Sequence, residues 1–234
     1  MAIRSLLYKN SYEVNDFIKI TIPTVGEIID REDEYYGLIS MLTAMPIDMM
    51  VQLDEVGIDF TDINEYELFI IMFEGIKKQD TSLVFGDLDL SKFELTVENG
   101  SVVLKDGEKV IDRNTYIHIS SALRLLHNIE KDKRKPANTE AKEFMLKRAK
   151  EKMRRKRTRS ESSQLEQLII AMVNTEQYKY DFEGTRELSI YQFNESVRQI
   201  IKKVDYDNKM FGVYTGNINA KELSRDDLNW LTHK

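Results

Sequence analysis

The stretch KFELTVENGSVVLKDGEKVIDR, Lys92 to Arg113, constrains the fold more than any other. Its apolar residues alternate in two runs, divided first by Asn99-Gly100 and then by Asp106-Gly107. Both dipeptides favour the positive backbone dihedrals of tight hairpin turns, so the chain must reverse twice at close range. A small antiparallel sheet follows. On either side the apolar spacing is helical, which predicts an α+β protein, mainly helical, with a small antiparallel β-hairpin sheet in the middle.

Before the sheet, Phe17 to Ile22 alternate and the period changes at Pro23, as for a strand feeding a helix. Thr24 with Glu27 has the spacing of a reciprocal cap, and the helix is expected to run to about Ala44. Pro46 suits the first turn of a second helix ending near Gly57. A third should start at Thr61 or Asp62, with Leu68, Ile71, Met72 and Gly75 at helical spacing.

After the sheet, Ile117, Leu123, Leu126 and Ile129 fit a helix that breaks near Pro136. A long basic surface helix, a polar joint at Ser160 to Ser163, and a helix with Leu165, Leu168, Ile169 and Met172 on one face follow. Ser189 with Gln192 resembles another capping box, leading an apolar stripe of Ile190, Phe193, Val197, Ile200 and Val204. Gly212 and Gly216 should bracket a turn, and Ser224 with Asp226 and Asp227 should start a short last helix carrying Trp230. The expected division is an N-terminal α+β domain, 1–130, a basic helical linker, 131–163, and a C-terminal helical domain, 164–234.

Charge is split along the chain. From Lys131 to Arg159 fourteen basic residues face four acidic ones, a net of +10, which leaves -16 for the rest of a chain of net charge -6. Such a segment can reach for an anionic partner or neutralise the body of its own or a neighbouring subunit. There is no cysteine, which removes disulfides, thiolate metal sites and a cysteine nucleophile. The N-terminus has too short an apolar run for a signal peptide, and no segment reaches the roughly 18 apolar residues of a membrane span. A soluble, cytoplasmic protein without membrane contact is expected.

Catalytic signatures are missing from the sequence. Neither a GxxxxGK[ST] loop nor a GxSxG turn occurs. His118, His127 and His233 lack the spacing of a metal-binding set, and Asp87 with Asp89 supplies too few oxygens for a hard cation. The expectation is no enzyme, no cofactor and no metal.

Two groups suit binding instead. Met41, Met45 and Met49 recur every fourth residue around Pro46, as in an adaptable partner groove or in ordinary core packing. Lys147, Arg148, Arg154, Arg155, Lys156 and Arg157 lie on a basic helix that brings Lys147, Arg148, Arg154 and Arg155 near one another while the remaining charge spreads around it, and that can dock on protein or contact a nucleic-acid backbone. No aromatic residue lies between Phe144 and Tyr178 to stack on bases, so any nucleic-acid binding should be weak and non-specific.

The segments LSIYQFNESV, GVYTGNI and DLNWL near the C-terminus, with IPTVGEI and AMPIDMMVQLDEVGIDF near the N-terminus, carry a resemblance. They resemble tail-morphogenesis proteins of tailed phages of Gram-positive bacteria, of the tail assembly chaperone or baseplate hub assembly type. The resemblance implies a non-enzymatic late protein of virion assembly in the cytoplasm of an infected bacterial host or in the virion itself. Its implied partner is a phage tail structural protein, the tape measure or a baseplate component, with self-association left open. It brings no catalytic residues, and Trp230 joins the methionines and the basic face as a candidate contact.

Overall fold

A computed structural model of the chain describes residues 6–98, 100–156 and 163–231. The fold is α+β and mainly helical, with two small antiparallel sheets. The first sheet pairs β1 (Ser11–Glu13) with β2 (Lys19–Thr21), Tyr12 opposite Ile20. The Asn15 side chain accepts from the amides of Phe17 and Ile18 and closes the turn. β1 escaped the sequence reading because its three residues, SYE, are too few and too polar to show alternation.

The Thr24–Glu27 capping box forms, but α1 (Val25–Ile29) ends after five residues and α2 (Glu32–Thr43) starts afresh after Arg31. The single helix expected to Ala44 is therefore two. Glu32, Asp33 and Glu34 explain the restart, since carboxylates favour the free amides and positive dipole end of a first turn. Asp30, in the break, pairs with Arg186 at 2.7 Å.

Pro46 begins a turn rather than a helix, and α3 (Met50–Glu55) follows it and ends before Gly57, whose φ of 76° requires a residue without a Cβ. α4 (Glu65–Ile76) is capped by Asn64, not by Thr61 or Asp62. Asn64 and Glu67 satisfy each other's amides reciprocally, while Thr61 is held by the Asp59 carboxylate. The main core face of α4 is Tyr66, Phe69, Phe73 and Ile76; Ile71 and Gly75 face solvent.

After the one-turn helix α5 (Ser82–Phe85) come β3 (Glu94–Glu98), β4 (Ser101–Asp106) and β5 (Lys109–Ile111), paired in that order. Glu98 opposes Ser101 and Asp106 opposes Lys109, so both predicted turns fall in place, with Gly100 and Gly107 at positive φ. Asn99 lies outside the described residues. Leu104 and Ile111 pair and face the core, whereas Val97 and Val102 at the hairpin tip are exposed.

α6 (Arg113–His127) stacks Tyr116 on Phe69 with ring centroids 4.4 Å apart and stops at Asn128, in the left-handed conformation. Ile129 thus falls beyond the helix it was assigned to. A segment without regular secondary structure leads to α7 (Thr139–Lys156), followed by α8 (Gln164–Val173), α9 (Phe182–Glu187) and α10 (Ile190–Tyr214). Of the polar joint at Ser160 to Ser163, only Ser163 is described, as the cap of α8.

One apolar cluster draws on both the 6–130 and 164–231 stretches: Ile28, Leu38, Phe73 and Tyr116 share it with Leu165, Ile169, Ile190 and Phe193. The two stretches are also stitched through backbone, with the Val25 amide donating to Leu188 and the Ile190 amide to Pro23, each at 2.8 Å. A smaller second cluster, Ala44, Ile47, Leu53, Phe60 and Leu68, is edged by Met45, Met49, Met72 and, from α7, Met145.

α10 begins at the expected Ser189–Gln192 capping box and leaves the body partway along. Ile190 and Phe193 are fully buried and Val197 nearly so, Ile200 is half-buried, but Val204 is 36% and Phe211 70% exposed. Such a stripe is expected to be buried along its length, and burial here stops short of Val204. Gly212 belongs to the last helical turn, not to a link; a Cβ there would lie 2.5 Å from Ile218, so the glycine admits the returning tail. The tail runs back along α10, with Gln199 donating to the Trp230 carbonyl and Lys202 to that of Asp226, and Lys209 pairing with Asp227. Ser224 and Asp227 bond reciprocally, yet they cap a single turn and no helix, because the Asn229 side chain takes the Leu231 amide.

Candidate functional site

α7 shows how the charged segment is used. Lys142, Met145, Leu146, Ala149 and Met153 are half-buried. At about 100° per residue they form one narrow stripe. Met145 meets the second cluster, Lys150 pairs with Asp54 at 2.6 Å, and Lys142 pairs with Asp59. The Lys142 ammonium is the chief cause holding the Asp59 carboxyl down to about 2, helped by Thr61.

Lys147, Arg148, Arg154 and Arg155 are exposed and lie roughly opposite that stripe, so the structure gathers four of the six predicted basic residues into one outward band. Arg148 sits over the Phe144 ring at 5.7 Å. The Lys156 side chain and Arg157 lie outside the described residues.

The predicted methionine stripe divides. Met41 packs on the large cluster, with the Gln79 amide 3.7 Å from its sulfur, whereas Met45 and Met49 edge the second cluster that Met145 also touches. Trp230 belongs to another element pair, the tail on α10, where its backbone is held and the residue as a whole is 44% exposed.

A groove that sequence reasoning missed adjoins the N-terminal end of α7. It encloses about 700 Å³, with Met45, Ile47, Phe60 and Ile63 on one side and the 132–142 stretch on the other. Its inner wall rests on buried Arg124, whose guanidinium donates to Glu65 at 3.2 Å, to Ser120 at 3.1 Å and to the Thr43 carbonyl at 2.5 Å. Lys131 donates to the other Glu65 oxygen at 2.7 Å. The one available signal was an arginine inside the apolar run Leu123 to Leu126, where a buried charge needs a carboxylate from elsewhere in the chain.

Among the described residues the remaining titratable groups do not converge. His127 lies against Tyr35, its Nε2 2.9 Å from the hydroxyl, and burial pushes it down to about 4, so it is neutral near pH 7. His118 is exposed, and His233 lies outside the described residues. Asp87 and Asp89 are both exposed, and Asp89 caps a single 3-10 turn through Ser91. Among the described residues no three acidic or histidine side chains form a cluster that could hold a metal ion, and no helix is long and apolar enough to cross a membrane.

Residues 155–234, about a third of the chain, match the family model described as YomV second domain, a phage-associated family. No curated protein and no solved structure matches the chain. The matched stretch holds α8, α9, α10 and the returning tail, and so covers the projecting helix rather than the groove.

Proposed function

We propose that the chain is a non-enzymatic phage tail-assembly or tail-structural protein that binds another virion protein, such as the tape measure or a baseplate component, in the cytoplasm of an infected bacterial host. The observation that supports this reading lies within the phage-associated match. The stripe that enters the core at Ile190 and Phe193 continues in line to Val204 and Phe211 after α10 has left the body. The tail-holding residues Gln199, Lys202 and Lys209 project from the opposite side, so the tail leaves this stripe open. An amphipathic helix with an open apolar face suits a helix or groove on a partner.

Co-expression with phage tail proteins tests the reading. Wild-type protein should capture a tape-measure or baseplate protein, and Val204→Ser with Phe211→Ser should abolish capture without changing the melting temperature. Failure of the wild type to capture any tail protein would sink it.

A second reading, nucleic-acid backbone binding, draws on the outward band of Lys147, Arg148, Arg154 and Arg155. On this reading binding is steeply salt-dependent and indifferent to sequence.

A further inference from the structure

We infer that the groove beside α7 docks an acidic polypeptide segment anchored by a large apolar side chain; this rests on the reading above that the chain binds protein. The groove's about 700 Å³ suits a short segment of side chains. Met45 and Ile63, both half-buried, offer apolar surface, which a hydrated inorganic anion would not use.

The charge around that surface is one-sided. Every carboxylate at the groove is already engaged, Glu65 by Arg124 and Lys131, Asp132 by Arg134, and Asp59 just beyond by Lys142. Arg113, Lys133 and Lys135 are exposed at the rim and have no carboxylate partner among the described residues. This surplus of cations, with the local anions neutralised, is complementary to carboxylates on an incoming chain. The cations come from two separate stretches, Arg113 from the start of α6 and Lys133 and Lys135 from the segment before α7, which suits a row of acidic side chains more than a single phosphate. Stacking of nucleic-acid bases is disfavoured, because the one aromatic ring lining the groove, Phe60, is buried.

Fluorescence anisotropy with a labelled peptide, Asp-Glu-Asp-Leu-Phe-Asp-Glu-Asp, tests the inference on the full chain. Lys133→Glu with Lys135→Glu should weaken binding by about tenfold, as should replacing Leu-Phe in the peptide by Ser-Ser. Both lysines are exposed, so the variant should fold normally. Lys147→Glu with Arg154→Glu on the outward band of α7 should change affinity by less than about twofold, since these sites point away from the groove.

Three results would overturn the proposal: no peptide binding, equal binding of the Ser-Ser peptide, or equal displacement by a single-stranded oligonucleotide of the same charge. Failure here is separable from failure of the tail-assembly reading. If the wild type captures a tail protein but the acidic peptide does not bind, the groove is wrong and the reading stands. If the peptide binds as described but no tail protein is captured, the groove stands and that reading fails.

Discussion

α7 and α10 are both long surface helices, yet they are attached by opposite means. α10 is rooted by Ile190 and Phe193, both fully buried in the main cluster, and then runs free. α7 lies flat: none of its described residues is buried, and a half-buried stripe with two ion pairs holds it against α3 and the second cluster. Burial of an aromatic side chain stabilises by several kcal/mol, whereas exposed ion pairs contribute about 0–1 kcal/mol. A helix can therefore be more firmly fixed by two buried residues at one end than by a contact along its whole length.

The largest test of that contrast is Phe193→Ala. It should destabilise the chain by about 3–5 kcal/mol, because the vacated ring leaves a cavity in a cluster shared by both halves. Chemical denaturation should show one cooperative transition moved as a whole. Met145→Ala on α7 should cost about 1 kcal/mol, since Met145 is only half-buried. Equal losses from the two substitutions would break the comparison.

Arg124→Ala comes next, at about 2–4 kcal/mol. It removes the guanidinium from Glu65 and the Thr43 carbonyl, and leaves a mostly buried carboxylate with Lys131 alone. The site lies under the α7 side of the molecule but on α6, the helix that α10 packs against, with Asn194 donating to the Leu126 carbonyl. If α7 is the weaker attachment, Arg124→Ala should raise amide exchange around 43–65 and 131–142 more than at the root of α10.

The end of α6, whose residues Leu126 and Asn128 bond to Asn194 of α10, carries the main pH dependence above pH 4. His127 titrates at about 4 in the folded chain against an ordinary value of 6.5, because it is packed against Tyr35 and Tyr36. Between those values the unfolded chain binds a proton that the folded chain refuses, so stability falls as pH falls from about 6.5 to 4. The loss should be about 2 kcal/mol, with the ring's partial exposure holding it below the full shift. Asp59 and Asp80, both held down to about 2, lose their contribution only below the ordinary carboxylate range and do not share this window. Melts across the window should lose most of their slope in His127→Phe.

What the sequence showed and hid follows the same division. Signals contained in a few adjacent residues were legible: the reciprocal caps at Thr24 and Ser189, the two Gly turns, and the inner end of the α10 stripe. Periodicity, however, reports only which residues share a face, not where the body ends, so nothing distinguished buried Phe193 from exposed Phe211. The groove was hidden for a related reason. It joins residues 45–65 to residues 113 and 132–142, and its buried Arg124–Glu65 pair spans 59 positions, a proximity that neither spacing nor charge count encodes.

The smallest expected effect is the sharpest probe of α7. Lys150 and Asp54 are 2.6 Å apart, but their side chains are 48% and 43% exposed, so water already solvates both charges and ordering two flexible chains offsets much of the attraction. Lys150→Ala should therefore cost no more than about 0.5 kcal/mol, and raising the salt from about 0.1 to 1 M should shift wild-type stability at this pair by no more than that. Amide exchange along Thr139–Lys156 should be unchanged, because the Met145 to Met153 stripe still covers the second cluster. Were Lys150→Ala instead to release α7 alone, raising exchange throughout the helix while Phe193 and its surroundings stayed protected, the ion pairs and not the narrow stripe would be what holds it, and the basic segment would be a salt-sensitive arm rather than a fixed wall of the groove.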